Sequence, residues 1–121
     1  MAVTHGTATR TAIATAVLGE IDAGTAGNLV FRTSGAAEAA TLALSLTSGV
    51  VSGAVLTFNS ISDDTSATGG TVDNATVEDS AAATVLACAV GTSGSDINLS
   101  SLSIGVGDTV SISSLTYTAP V

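Results

Sequence analysis

His5, Cys88 and ten carboxylates are the side chains from which a catalytic or metal site in this chain would have to be built. A hydrolase needs a nucleophile held beside a base. Hydroxyls are plentiful, but the single imidazole, His5, falls in residues 1–6, a stretch without periodicity that reads as an N-terminal arm. Zinc takes several Cys or His ligands, and one of each excludes such a site within one subunit. Asp63, Asp64, Asp73, Glu78 and Asp79 are near enough in sequence to converge on a hard cation such as calcium, although their spacing fits no EF-hand. Solvated loop charge is the commoner reading of such a group. Gly105-Val106-Gly107 is too short to cradle a phosphate and opens no helix, so it reads as a turn. Cys88 has no partner for an intrachain disulfide and reads as a small buried hydrophobe. Asn74-Ala75-Thr76 and Asn98-Leu99-Ser100 fit the glycosylation tripeptide, and in a chain this rich in Ser and Thr, with no secretion leader in sight, both read as coincidence. No catalytic, cofactor-binding or metal residue is assigned, and the expectation is a protein that is not an enzyme and takes no cofactor.

The elements that would position such residues begin with a helix. Across residues 9–23, Ile13, Val17 and Ile21 recur four apart with Leu18 beside them and Ala12 and Ala16 in the same stripe, which is helical spacing. Thr7 or Thr9 offers an N-cap oxygen, and Gly24 offers the left-handed conformation that ends a helix. Strands are expected across residues 28–118. Leu29, Val30 and Phe31 form the first apolar run, residues 34–40 read as a loop, and residues 41–47 alternate with Leu42, Leu44 and Leu46 on one face. Residues 50–61 are apolar with a break near Gly53, and residues 62–70 concentrate turn formers and read as a surface loop. Residues 71–78 are ambiguous, a hairpin turn or an irregular edge strand. Residues 83–90 are apolar on both alternating faces and predict a central strand covered on both sides. Ile97, Leu99, Leu102 and Ile104 suit a strand with one irregularity. In residues 109–118 a bulge at Ser113 or Ser114 would bring Leu115 and Tyr117 onto the face of Val110 and Ile112. The fold class that follows is mainly β, a single-domain β-sandwich or barrel-like fold with one N-terminal α-helix. Leu42, Leu44, Leu46, Leu86, Cys88, Val90, Val110 and Ile112 are expected to be mostly buried, and the helix to dock through Ile13, Val17 and Ile21.

Composition narrows the partners. The chain has 121 residues and a formal charge of −8, with two arginines, Arg10 and Arg32, and no lysine. Phosphate backbones and anionic membranes call for clustered Lys and Arg, so no nucleic acid and no membrane is expected as a partner. No apolar run is long enough to span a bilayer. With 21 alanines and three aromatic residues, Phe31, Phe58 and Tyr117, the core is built of small pieces and buries little per residue. Missing lysine also removes a common device for protecting exposed strand edges, so those edges are expected to be covered or paired with other chains.

Two stretches carry a resemblance. Thr9-Arg10-Thr11-Ala12 through Ile21-Asp22-Ala23-Gly24, followed by Gly27-Asn28-Leu29-Val30-Phe31, resembles the helix, glycine turn and opening strand of small Ala/Thr/Gly-rich virion proteins of tailed bacteriophages. The segments from Val90-Gly91-Thr92 to Ile97-Asn98-Leu99 and from Val110-Ser111-Ile112 to Leu115-Thr116-Tyr117 resemble their closing strands. The resemblance covers roughly half the chain and supplies no site residues. It implies a capsid decoration or cement protein on the virion surface, made in the bacterial host cytoplasm. The implied partners are the major capsid protein and copies of itself, with the protein homo-oligomeric or lattice-bound. The alternative is a head-fibre, tail-tip or adhesin-type module binding a host glycan or receptor, which the near absence of aromatic residues disfavours. The termini, residues 1–6 and 119–121, are expected to be free to lie on adjacent subunits.

Overall fold

The computed structural model describes residues 3–120. It is mainly strand, a curled multi-strand half-barrel with a single N-terminal helix. The helix α1 spans Thr7–Ile21. The strands are β1 (Asn28–Arg32), β2 (Glu38–Ala43), β3 (Gly49–Ser52), β4 (Val55–Phe58), β5 (Gly70–Thr71), β6 (Asn74–Glu78), β7 (Thr84–Gly91), β8 (Ile97–Asn98), β9 (Ser103–Ile104) and β10 (Thr116–Thr118). They form a five-stranded sheet in the order β2-β1-β6-β7-β8, a three-stranded sheet β10-β4-β3, and the small pair β5-β9. Every pairing is antiparallel except β7 with β8.

The helix starts and ends two residues before its expected bounds. Its N-cap is Gly6, with no side-chain cap; Thr11 and Thr15 instead turn their hydroxyls back onto the carbonyls of Thr7 and Thr11, at 3.0 and 2.8 Å. Asp22, the C-cap, stands at the negative end of the helix dipole, where a carboxylate is unfavourable. The backbone N–H of Ser48 donates to that carboxylate at 3.0 Å, which offsets the repulsion and ties the helix end to the start of β3. The docked stripe is Ala14, Val17, Leu18 and Ile21, an i, i+3, i+4, i+7 set, with only Ala14 and Ile21 fully buried. Ile13 sits half-buried at the border, and Ala12 and Ala16 face solvent. In this alanine-rich helix the larger Leu18 and Ile21 set the rotation. α1 lies against β3 and β4 and touches β7.

The core is one cluster. Leu29 and Phe31 of β1, Leu42 of β2 and Ala75 and Val77 of β6 point from the five-stranded sheet toward Leu56 and Phe58 of β4, with Ile21 of the helix completing it. Strand β6, ambiguous in sequence, is the middle strand of the large sheet. On that sheet's outer face the Arg32 guanidinium pairs with the buried Glu78 carboxylate and donates from Nε to Thr76 Oγ1 at 3.2 Å, while Thr76 donates to Glu78 at 2.8 Å. Val30 is buried on the same side. Gly27 admits no side chain, because a Cβ there would run into the carbonyl of Glu78.

Further expectations are corrected. Residues 34–40 are not all loop, because β2 starts at Glu38, and residues 97–104 are not one strand, because Ile97–Asn98 pairs with β7 and Ser103–Ile104 with β5. Leu46 is 60 % exposed, because β2 ends at Ala43 and the chain turns away after Leu44, whose N–H donates to Gly27 O. Strand β7 is not covered on both sides: Leu86, Cys88 and Val90 are half-buried, Ala87 and Ala89 are exposed, and only the two-residue β8 lies beyond it. Residues 109–118 are not one bulged strand. Val110 makes a single bridge to Asp64, the chain then leaves the sheets with Ile112 half-buried, and it returns as β10. Ala119 is buried, its N–H donating to Ala54 O at 2.8 Å and its carbonyl accepting from Arg10 Nη2 at 3.0 Å, so this residue is clasped instead of free. Met1, Ala2 and Val121 lie outside the described residues. The expected break at Gly53 is the tight turn of the β3-β4 hairpin, with Gly53 at φ 61°.

Candidate functional site

Strand edges locate the site. The free edge of β2 is covered by its own chain: Thr41 N–H donates to the Asp64 carboxylate at 2.9 Å, while Ser62 and Gly69 donate to the carbonyls of Ala43 and Ala39. Asp64 also caps Ser66 N–H, so one carboxylate orders the covering loop and holds it against the sheet. Two edges are treated differently. Strand β10 pairs with β4 alone, and on β7 Val90 and Gly91 pair with β8 and Ala89 N–H is taken by the Asp96 carboxylate, while Val85 and Ala87 have no strand partner beyond β6. These two edges border one trough. Its narrower part, about 510 Å³, is lined by Leu86, Ala87 and Cys88 of β7, by Thr116, Tyr117 and Thr118 of β10, and by Phe58 at its base. It shares Asp96, Leu115 and Thr116 with a broader cleft of about 690 Å³ running between residues 96–104 and 108–116. That cleft is lined by hydroxyls, among them Ser100, Ser101, Ser111, Ser113 and Ser114, and by the carboxylates of Asp96 and Asp108. Among the described residues no Lys or Arg lines either part.

Five of the ten carboxylates, Asp22, Asp64, Asp79, Asp96 and Asp108, accept from backbone amides. Asp79 accepts from Ala81 and Ala83 N–H, both at 2.9 Å; Asp96 accepts from Ala89 N–H at 2.9 Å, and Asp108 from Gly105 N–H at 2.8 Å. A charged acceptor makes a stronger bond than a neutral one, so these contacts fix tight turns in a chain short of large apolar side chains. Of the five acids that sequence offers for a cation, Asp64 and Asp79 serve the amides named above, Asp73 accepts from Asn74 Nδ2, Glu78 is paired with Arg32, and Asp63 is exposed. They do not converge, and among the described residues no three of His, Cys, Asp and Glu gather into a metal-binding group. His5 lies in the exposed arm. Gly105-Val106-Gly107 forms a turn, closed by a hydrogen bond from Asp108 N–H to Gly105 O.

Cys88 stands on the trough wall, half-buried, and its thiol is pushed above its ordinary range by burial and secondarily by the charge of Asp96. The neutral, weakly nucleophilic form is therefore favoured. The helix and closing strand are joined here too, because the Arg10 clasp on Ala119 O holds the start of α1 beside the end of β10.

No protein-family model, curated protein or solved structure matches this chain. The trough must therefore be understood through its own residues. Sequence reasoning does not place Asp96, Asp108 or Tyr117 at a site. The serine-dense run from Asn98 to Ser114 is the signal that marks the broader cleft. Which strand edges stay unpaired is set by contacts between distant residues.

Proposed function

We propose that the protein is a structural component of a tailed-phage virion, a decoration or cement protein that binds the capsid lattice and its own copies. The observation that carries this reading is the pair of incompletely paired strand edges facing one trough, in a chain that covers the edge of β2 with an ordered loop. Unpaired strand backbone is a template for another chain, and many such small contacts acting together give avidity beyond any one of them. The virion assignment rests on the resemblance of residues 9–31, 90–99 and 110–117 to small phage virion proteins. The acidic surface suits a subunit repeated many times at close quarters, because it resists nonspecific association.

The test is to mix purified protein with undecorated heads and measure occupancy by electron microscopy together with the temperature at which heads rupture. Saturable, ordered occupancy and heads that withstand more heat are expected. Heads that neither bind the protein nor change in heat resistance would refute the reading.

A second reading, a module that binds a host glycan, is favoured by the hydroxyl-lined cleft with its two carboxylates. Hydroxyls and carboxylates suit sugar hydroxyls, while Tyr117, in the adjoining part, offers an aromatic side chain for stacking. Binding to a host surface polysaccharide that is lost in Asp96→Ala would favour this alternative.

A further inference from the structure

We propose that the trough between β7 and β10 is a strand acceptor, and that its occupant is the N-terminal arm of a second copy of this chain, laid in as an extended strand. The inference rests on the assembly reading above and names its contact. An extended segment between the two edges would find backbone partners on both sides and close the half-barrel, which is the strand-addition mode of recognition. The trough offers apolar walls as well: Phe58, Leu86, Cys88, Leu115 and Tyr117 present half-buried or buried surface toward it.

Charge selects the occupant. The trough holds Asp96 and no Lys or Arg among the described residues, and the chain as a whole carries −8, so an acidic strand would be repelled. Residues 1–19 hold no carboxylate, the first being Glu20. Within them, residues 3–6 are exposed, Val3 at 87 %, an apolar side chain that its own fold leaves in water. Gly6 is already extended at φ −66° and ψ 161°. Residues 3–6 do not line the trough of their own copy, and the start of the helix that follows them is fixed beside the end of β10 by the Arg10 clasp. Each copy thus presents a donor near the rim of its own acceptor, a geometry that serves both reciprocal exchange of arms in a symmetric pair and head-to-tail rings or chains.

The experiment uses the native thiol on the trough wall. In Val3→Cys, an exposed change, the thiol introduced at position 3 of one copy would come close to Cys88 of the next. Equal amounts of ¹⁴N- and ¹⁵N-labelled Val3→Cys protein would be oxidised with diamide under native, mildly alkaline conditions, run on non-reducing gels and digested for mass spectrometry. The expected result is disulfide-linked dimers or longer species containing mixed-label peptides that join position 3 to Cys88. Val3→Cys/Cys88→Ser should give nothing beyond a dimer linked through position 3 of both copies. Links from position 3 to Cys88 found only within one label, or none at all, would overturn the proposal. Sedimentation of the protein lacking residues 1–6 separates this inference from the wider one. Self-association about tenfold weaker than that of the full chain is expected. Undiminished association would overturn the arm as donor and leave the assembly reading standing, whereas a full chain that stays monomeric at every concentration would overturn both.

Discussion

Replacing Arg32 by methionine should be among the costliest single changes on the outer face of the large sheet. The guanidinium pairs with Glu78, whose side chain is 7 % exposed, and also donates to Thr76 Oγ1 and to the carbonyl of Ala36. Methionine keeps much of the volume of the stem and removes all of these donors. Glu78 is left as a buried carboxylate with Thr76 as its one remaining donor. Breaking a buried ion pair from one side costs about 3–5 kcal/mol. The arginine is 26 % exposed, so water can reach part of the vacated site, and the figure is discounted to about 2–3 kcal/mol. For a chain of this length that lowers the melting temperature by roughly 10 °C. Urea unfolding followed by far-ultraviolet circular dichroism would measure it. The double variant Arg32→Met/Glu78→Leu supplies the control, because an apolar pair in place of a buried ion pair is often neutral or stabilising, and it should recover to within about 1 kcal/mol of the parent. If Arg32→Met alone costs less than about 0.5 kcal/mol, or the double variant is no better than the single, the pair does not hold β1 and β6 in the way argued.

Asp64→Ala should cost about 1–3 kcal/mol by leaving the amides of Thr41 and Ser66 without their acceptor; by uncovering β2 it should also raise light scattering near the melting temperature, and an unchanged denaturation midpoint would contradict this. Cys88 should react slowly with iodoacetamide at neutral pH and faster as the pH rises past the ordinary thiol range, with urea abolishing the protection. Because the folded state favours the protonated thiol, its contribution to stability is full below the unfolded pKa and is lost as the pH rises through the folded value, so Cys88→Ala should lessen the alkaline loss of stability seen in denaturant titrations. Leu56→Ala should cost about 2–5 kcal/mol, while Leu46→Ala, 60 % exposed in the parent, should stay within about 0.5 kcal/mol, and equal effects would mean that the core is misplaced.

Local patterns made the fold class readable. Leu29, Val30 and Phe31 make a compact apolar run in β1, and Gly53 breaks residues 50–61 into a hairpin. Both signals act over a few residues. Strand β6 is obscure in sequence because Thr76 and Glu78 are polar in type yet held against the sheet, and what holds them is Arg32, more than forty positions earlier. Strand β7 misleads in the opposite sense. Its residues are apolar on both faces, but two of them, Ala87 and Ala89, are small enough to face water at little cost. The helix stripe shifted for a related reason, since alanines at Ala12 and Ala16 fit a buried or an exposed face equally well. The trough was not readable at all. It is a property of which edges remain unpaired once the register of distant strands is settled, and no local spacing encodes that.

The clasp between Arg10 and the carbonyl of Ala119 also orders events in time. The two residues are 109 positions apart, so the helix receives this anchor only after all the strands between them have been synthesised. At bacterial or eukaryotic elongation rates that delay is on the order of 5–20 s. Strand β1, which needs β6 from more than forty residues downstream, waits for part of the same interval. During this period Phe31, Leu29 and the apolar side of α1 are made without partners, and the nascent chain depends on its threonines, serines and lack of long hydrophobic runs to stay unaggregated. The first helix is therefore locked in place from downstream, once β10 and Ala119 have left the ribosome.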